Sequence, residues 1–449
     1  MSLVFNKKIF NFSKKELSSC NERLSWCSEK LERYQLKRMK WILSHAKHYS
    51  SWYKRSLSHI DVSSFTLKDM EKIPILTKKD FMNNWDEIIT NSSLKLADMY
   101  QLLESKSSNN FPYHITRSGG TSGHTGIYVY DRTAWISSFN SIIRFFMKEE
   151  VVQLHKKSSM CRVTLAAPFS NHMTSSLMVY PKDHIKDIYL PVTMPYQSVL
   201  EKLTECPPDI LQGYPSILSK VAYSQLNGEV NIHPGFIISM AEPLDNSVHS
   251  LIKMAWGVKV YDVWASGEFG PLGVTCHYCD NLILNSDHCF FEFDFPTSEI
   301  SSKEGVLVTG LQNKTMPLIR FQLDDQLLKA KRNLCCNKSF GVIGGVLGRP
   351  ADMFYYGDIA VHGYCFRMIF LSFPEITNYQ LLQTKDGVLV YLSEDYFLRE
   401  DLVMKLKNMI ADAIMKLGVV SPKVEVQYVS EFKKTQAGKI PKLVALRSQ

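Results

Sequence analysis

Ser118-Gly119-Gly120-Thr121-Ser122-Gly123-His124-Thr125-Gly126, running on into Ile127-Tyr128-Val129-Tyr130, is the stretch that orders the rest of the chain. Four glycines and four hydroxyl residues share its first nine positions. Glycine admits positive φ and brings backbone N–H groups close to an oxyanion. The hydroxyls between them add donors to the same concavity. Such a loop has the chemistry to cradle phosphates. It is not the Walker loop, because no Gly-Lys-Ser/Thr closes it. Taken alone, a flexible Gly/Ser connection reads as well, and the segments further along the chain decide between the two.

The 449 residues predict two domains, or one large domain with an appendage. The composition, 45% hydrophobic and 21% charged, is that of a globular protein without low-complexity segments. A net charge of +8 raises nucleic acid as a partner. The basic residues, however, are interspersed with acidic ones. The densest clusters, Lys37-Arg38-Met39-Lys40 and Lys329-Ala330-Lys331-Arg332, are short and carry no interleaved aromatics. No nucleic acid is expected, and anionic small ligands fit better. Met1 to Lys15 contains no apolar leader core, and no stretch approaches the length of a spanning helix. A cytoplasmic protein without a membrane span is the expectation, with its ten cysteines as free thiols or clustered metal ligands.

Lys14 to about Ser56 reads as helices, with Leu24, Leu31, Leu36, Met39 and Leu43 at helical spacing. Thr77 is placed to cap a helix after Pro74. Beyond the glycine-rich loop, Thr133 to Glu150 predicts a helix and Met160 to Ala167 a strand. Asp209 to Ser216 predicts a strand, a turn and a helix. Gly235–Ser239 and Val258–Val263 are two more strands, with a helix over Asn246–Trp256 between them. That alternation argues for a mostly parallel α/β sheet, whose ligands collect at the strands' carboxyl ends, where Ser239 and Asp262–Glu268 fall. Gly305–Gly310 and Pro317–Phe321 predict strands of a smaller β-rich section. Helices are expected over about Tyr364–Ser372 and Arg399–Leu417, in a compact α+β unit after a boundary at Arg349–Asp352.

Five segments occur in one order: Thr121–Gly126; Trp264-Ala265-Ser266-Gly267-Glu268; Pro317-Leu318-Ile319-Arg320-Phe321 with Asp325; Gly348-Arg349 with Asp352-Met353; and Lys434-Thr435-Gln436-Ala437-Gly438-Lys439. Together they resemble the adenylate-forming superfamily of acyl-CoA synthetases and adenylation domains. The nearest likeness is the phenylacetate–CoA ligase branch with its capsule-biosynthesis relatives. Gly213-Tyr214-Pro215-Ser216 and Ala241-Glu242-Pro243-Leu244 support that branch, and the likeness runs from about Ile73 to Lys442. It implies a large adenylation domain over 1–348, a hinge at 349–352, and a small mobile domain over 353–449 carrying a catalytic lysine.

The resemblance also implies roles. Thr121, Ser122, Gly123, Thr125 and Gly126 would hold the ATP phosphates. Ala241 and Glu242 would lie against the nucleotide, Asp262 near the adenine amino group, and Trp264 against the base. Glu268 would carry Mg²⁺, a hard cation suited to carboxylate and phosphate oxygens. Asp325 would accept from the ribose hydroxyls with Arg349 nearby, and Lys439 would bridge carboxylate and α-phosphate. Considered singly, Glu268 also reads as a solvated charge, Asp325 as a turn residue beside Asp324, and Lys439 as a solubilising surface residue.

Three positions depart from the family pattern. Gly267 stands where Ser or Thr usually precedes the metal-binding Glu, with Ser266 one position earlier as a substitute hydroxyl. The hinge aspartate falls on Ala351. Asp358 takes the place of a glycine beside the pantetheine tunnel, where an acidic side chain would obstruct CoA. Cys276-x-x-Cys279 has zinc-knuckle spacing, and Cys335-Cys336 would complete four thiolates; buried free thiols are the alternative.

The function so implied is ATP- and Mg²⁺-dependent activation of a carboxylic acid, with an aromatic or medium-sized apolar group read from Phe169–His172 and Tyr214. Transfer would then go to a thiol, CoA or a carrier protein. The alternatives are transfer to an amine and a nucleotide-binding relative without catalysis.

Overall fold

The computed structural model describes residues 7–104, 112–117, 126–146, 160–166, 185–192, 194–244, 246–295, 301, 305–330, 339–348, 353–357, 359–362, 366, 369–370, 373, 376, 379–394, 397–433 and 443–446. It holds two compact units, one built from residues up to Val346 and the other from Leu347 onward.

The first unit opens with helices Lys7–Arg23, Ser28–Tyr49 and Ser51–Ser56. Met39, Ile42, Leu43 and Ala46 are buried along one stripe of the second helix, at the spacing that sets an apolar face against a core. Thr77 caps the Lys78–Asn83 helix by accepting from Asp80 N. Next comes an antiparallel ribbon of β1 (Tyr113–Arg117) and β2 (Ile127–Asp131), in which Thr116 faces Tyr128 and His114 faces Tyr130. Asp131 then caps the helix Arg132–Ile143, which ends in a 3₁₀ turn, Arg144–Phe146.

The central sheet begins with β3 (Met160–Ala166) and β4 (Ile185–Pro191) and continues with β5 (Ile210–Gly213), β6 (Phe236–Met240) and β7 (Val260–Ser266). These five are parallel in the order β4-β3-β5-β6-β7. Helices Tyr196–Glu205, Pro215–Leu226 and Asn246–Trp256 make the crossovers. The sheet is completed by antiparallel β8 (Gly270–Thr275), β9 (Leu282–Leu284) and β14 (Val342–Ile343). A parallel core needs apolar runs rather than alternation, and β5 and β6 are buried at every position.

A second antiparallel sheet joins β10 (Cys289–Glu292), β11 (Val306–Gly310) and β12 (Phe321–Leu323), while β13 (Gln326–Leu328) pairs with β15 (Gly345–Gly348). Pro317–Phe321 is therefore not a strand as expected; the strand starts at Phe321. Tyr53 takes up the backbone that a ladder would have used, donating to Pro317 O at 2.8 Å and accepting from Ile319 N at 3.2 Å. Arg320 then turns the chain at a φ of 51°.

The second unit has a hairpin, β16 (Met353–Tyr356) with β17 (Ile359–His362). Its four-stranded sheet runs β20 (Lys423–Val429), β19 (Gly387–Ser393), β18 (Tyr379–Gln383), β21 (Leu443–Val444). The helix Glu400–Met415 buries Leu406, Ile410 and Ile414 in that unit's own core. Of the helix expected at Tyr364–Ser372, only Phe366, Ile369 and Phe370 are described, all helical.

Candidate active site

In the parallel sheet, Leu165, Gly213, Ser239 and Asp262 lie side by side across four strands near their carboxyl ends. Gly213 leaves no room for a side chain: a Cβ there would sit 2.8 Å from Leu165 O. Asp262 is 9% exposed and accepts from Ser239 Oγ at 2.8 Å, while its own N–H donates to Thr275 Oγ1 at 2.8 Å. Burial pushes its carboxyl up to about 7, against the opposing pull of the hydrogen bonds from Ser239 and Val263 N. Trp264, one turn of the pleat further, is 7% exposed with its ring 6.1 Å from that of Phe291. A register shift between Trp264 and Ala265 re-aims the end of β7.

Glu268 sits in the tight turn joining β7 to β8 and is only 4% exposed, so it is not a solvated surface charge. Ser266 Oγ accepts from Phe269 N at 3.2 Å and is spent on closing this turn. Gly267 O is held by two hydroxyls of the β1–β2 ribbon, Thr116 Oγ1 at 2.7 Å and Tyr130 Oη at 2.9 Å. Tyr128 Oη donates to Glu268 Oε1 at 2.7 Å. Tyr128 thus engages one carboxylate oxygen, and a carboxylate such as Glu268 is the ligand type that would suit a hard cation such as Mg²⁺. Thr116, Tyr128 and Tyr130 were not marked as site residues by sequence. Their signal was the Tyr-x-Tyr spacing directly after the glycine-rich loop, which sets both rings on one face of a strand.

Gly126, the last residue of that loop, is buried beside Tyr128. Ala241 follows β6 with a φ of 68°, a left-handed backbone that a non-glycine residue adopts at some cost and that is common at functional turns. Glu242 accepts from Ser216 N at 3.1 Å, so its carboxylate serves the N-terminus of the Pro215–Leu226 helix. Asp325 is half-buried in the short link between β12 and β13. Thr121, Ser122, Gly123, Thr125, Arg349, Ala351, Asp352, Asp358 and Lys439 lie outside the described residues, as do Phe169–His172.

Cys276 is buried and its Sγ accepts from Tyr278 N at 3.4 Å; Cys279 is half-buried, and Cys335 and Cys336 lie outside the described residues. His277 and His288 turn elsewhere. His277 Nδ1 meets Tyr261 Oη at 2.9 Å, and His288 Nδ1 lies 3.1 Å from Asp287. Among the described residues, three potential ligands converge only at Glu16, Cys20 and His288. There Arg23 already stands as the cation, donating to Glu16 at 3.0 Å and to Cys20 Sγ at 2.8 Å.

No protein-family model matches the chain. It is 22% identical over 312 residues to Protein CapK of Staphylococcus aureus, a match spanning 65% of this chain and 62% of that protein. Over 171 residues it is 27% identical to a phenylacetate-coenzyme A ligase of Thermus thermophilus, covering 35% of this chain and 38% of the relative. The matches thus span less than two thirds of the length of either curated relative. Among solved structures, 2-hydroxyisobutyryl-CoA ligase in the postadenylation state, in complex with R3-HIB-AMP, aligns with a TM-score of 0.69 at 15% identity, over 95% of this chain and 91% of that one. The same ligase with 2-HIB-AMP and CoA, in an open conformation, aligns at a TM-score of 0.59 and 15% identity, over 94% and 93%. The helices of the described residues include none long and apolar enough to cross a membrane. The chain thus has the fold of that CoA ligase, and in sequence it is similar to Protein CapK and to a phenylacetate-coenzyme A ligase.

Proposed function

We propose that the protein activates a carboxylic acid with ATP, forming an acyl-adenylate and pyrophosphate, and then passes the acyl group to a thiol such as CoA. The observation that carries this reading is Glu268: a buried carboxylate in the turn after the last parallel strand, tied through Tyr128 to the glycine that ends the loop 118–126. ATP would lie over the strand ends, its phosphates at the loop and its base near Trp264, Asp262 and Ala241. Mg²⁺ on Glu268 would supply charge neutralisation for the phosphates. Lys439 would bring a cation to the oxygens where negative charge grows as the carboxylate attacks the α-phosphorus. CoA as acceptor draws on the ligand named for the 2-hydroxyisobutyryl-CoA ligase complex. An aromatic or medium-sized apolar acid is the proposed substrate class.

ATP–pyrophosphate exchange with a panel of acids tests the first step. One or more acids should drive exchange, and the nucleotide product should be AMP. Release of ADP would refute the assignment. Mass spectrometry of the product with CoA, and in parallel with amines, identifies the acceptor.

A further inference from the structure

Two structural constraints meet at a single hydroxyl. Tyr128 Oη donates to Glu268 Oε1 at 2.7 Å, and a Cβ on Gly126 would overlap that same Oη and lie 2.7 Å from Cζ. Position 126 must therefore be glycine for Tyr128 to reach Glu268 without displacement. Tyr128 has little freedom of its own. It is 1% exposed, its ring stacks on Phe81 at 5.2 Å with 11° between the planes, and Phe81 meets Phe321 edge-on at 5.9 Å. Across the ribbon it faces Thr116, whose hydroxyl holds Gly267 O.

We propose that Tyr128 is a positioning residue: it fixes Glu268 with Oε2 turned to the cation and locks that carboxylate to the terminal glycine of the phosphate loop. The proposal rests on the adenylation reading. One oxygen engaged by a hydroxyl leaves a single orientation for the other, and a hydrogen bond to a charged group is strong enough to hold it. An aromatic core residue with an incidental hydroxyl is the competing explanation. The two differ in what happens when only the oxygen is removed.

Tyr128→Phe keeps the ring and the Phe81 stack. Thermal unfolding of wild type and variant is followed with ATP alone in EDTA, then with ATP and increasing MgCl₂. Without ligand the melting temperatures should agree within about 2 °C. ATP in EDTA should stabilise both equally. The Mg²⁺ concentration for half of the additional ATP-dependent shift should rise about tenfold in the variant. Gly126→Ala should move that midpoint in the same direction, and the double variant little further, since the contact it disturbs is already gone. Equal Mg²⁺ midpoints in wild type and Tyr128→Phe would overturn the proposal, and a lowered melting temperature with an unchanged midpoint would assign Tyr128 to the core alone. A different result sinks the adenylation reading, and the proposal with it: an ATP shift in wild type that ignores Mg²⁺ and is unaltered by Glu268→Gln.

Discussion

Asp262 is the residue whose surroundings make the sharpest statement about pH. Its buried carboxyl titrates near 7, above the range of an exposed aspartate, so the native state holds a proton that the unfolded chain has released. Its contribution therefore falls as pH climbs from about 4 to 7 and stays constant above, a loss of at most about 4 kcal/mol. Asp262→Asn keeps an oxygen for Ser239 and removes the titration. The variant should gain melting temperature on wild type steadily across that window and level off above pH 7; a gap independent of pH would contradict the assigned cause. Lys439→Ala belongs at the same scale. Adenylation should slow by about a hundredfold or more, while ATP still binds, because a charge aimed at the transition state is lost. An unaltered exchange rate would make Lys439 a surface residue. The placement of Asp262 and Glu268 on and just after β7 was readable from sequence. The hydrogen bond of Tyr128 to Glu268 was not, because its partners stand 140 residues apart.

Among the elements, the first helix is joined to the body by a buried charge cluster beside its buried Leu17 and Cys20. Arg23 and Arg144 both hold Asp287, Arg23 Nε at 2.6 Å and the two Nη atoms of Arg144 at 2.8 Å each. Burial by itself would raise the Asp287 carboxyl; Arg144 and His288 keep it well below the usual carboxylate range. Arg144 further donates to Asn285 Oδ1 and Cys20 O, and Glu16 takes Ser137 Oγ at 3.0 Å. Arg144→Met should destabilise by about 3–5 kcal/mol, since it strips a partner from a buried charge. Chemical denaturation measures it, and a change under 1 kcal/mol, about the size of an exposed pair, would show that Asp287 finds other solvation. Local signals announced the helices, the Thr77 cap and the strands β3, β5, β6 and β7. They could not announce this cluster, whose members are 264 and 143 positions apart. The Pro317–Phe321 segment misled for a related reason: Pro317 O and Ile319 N go to the hydroxyl of Tyr53, while Leu318 O meets the neighbouring strand, accepting from Gly310 N.

For the molecule as a whole, each of the two units has its own apolar core, around Phe81, Trp85 and Phe321 in the first and Phe354, Ile410 and Leu381 in the second. The alternation of strands and helices made the class of the first legible, and the motif order pointed to the relatives it resembles. Less of the site was open to sequence, because the glycine-rich stretch showed what it could bind but not the ribbon hydroxyls that grip the turn at Gly267 and Glu268. The pairing of Arg23 with Asp287 bears also on how the chain is made. On a ribosome adding about 5–20 residues per second, the 264 positions between them correspond to a wait of roughly 13–50 s. For that interval Arg23 of the nascent first helix has Glu16 and Cys20 as partners but not yet Asp287. The contacts of the first helix with Ser137, Asn140 and Arg144 can form earlier, and the Asp287 link must come after them.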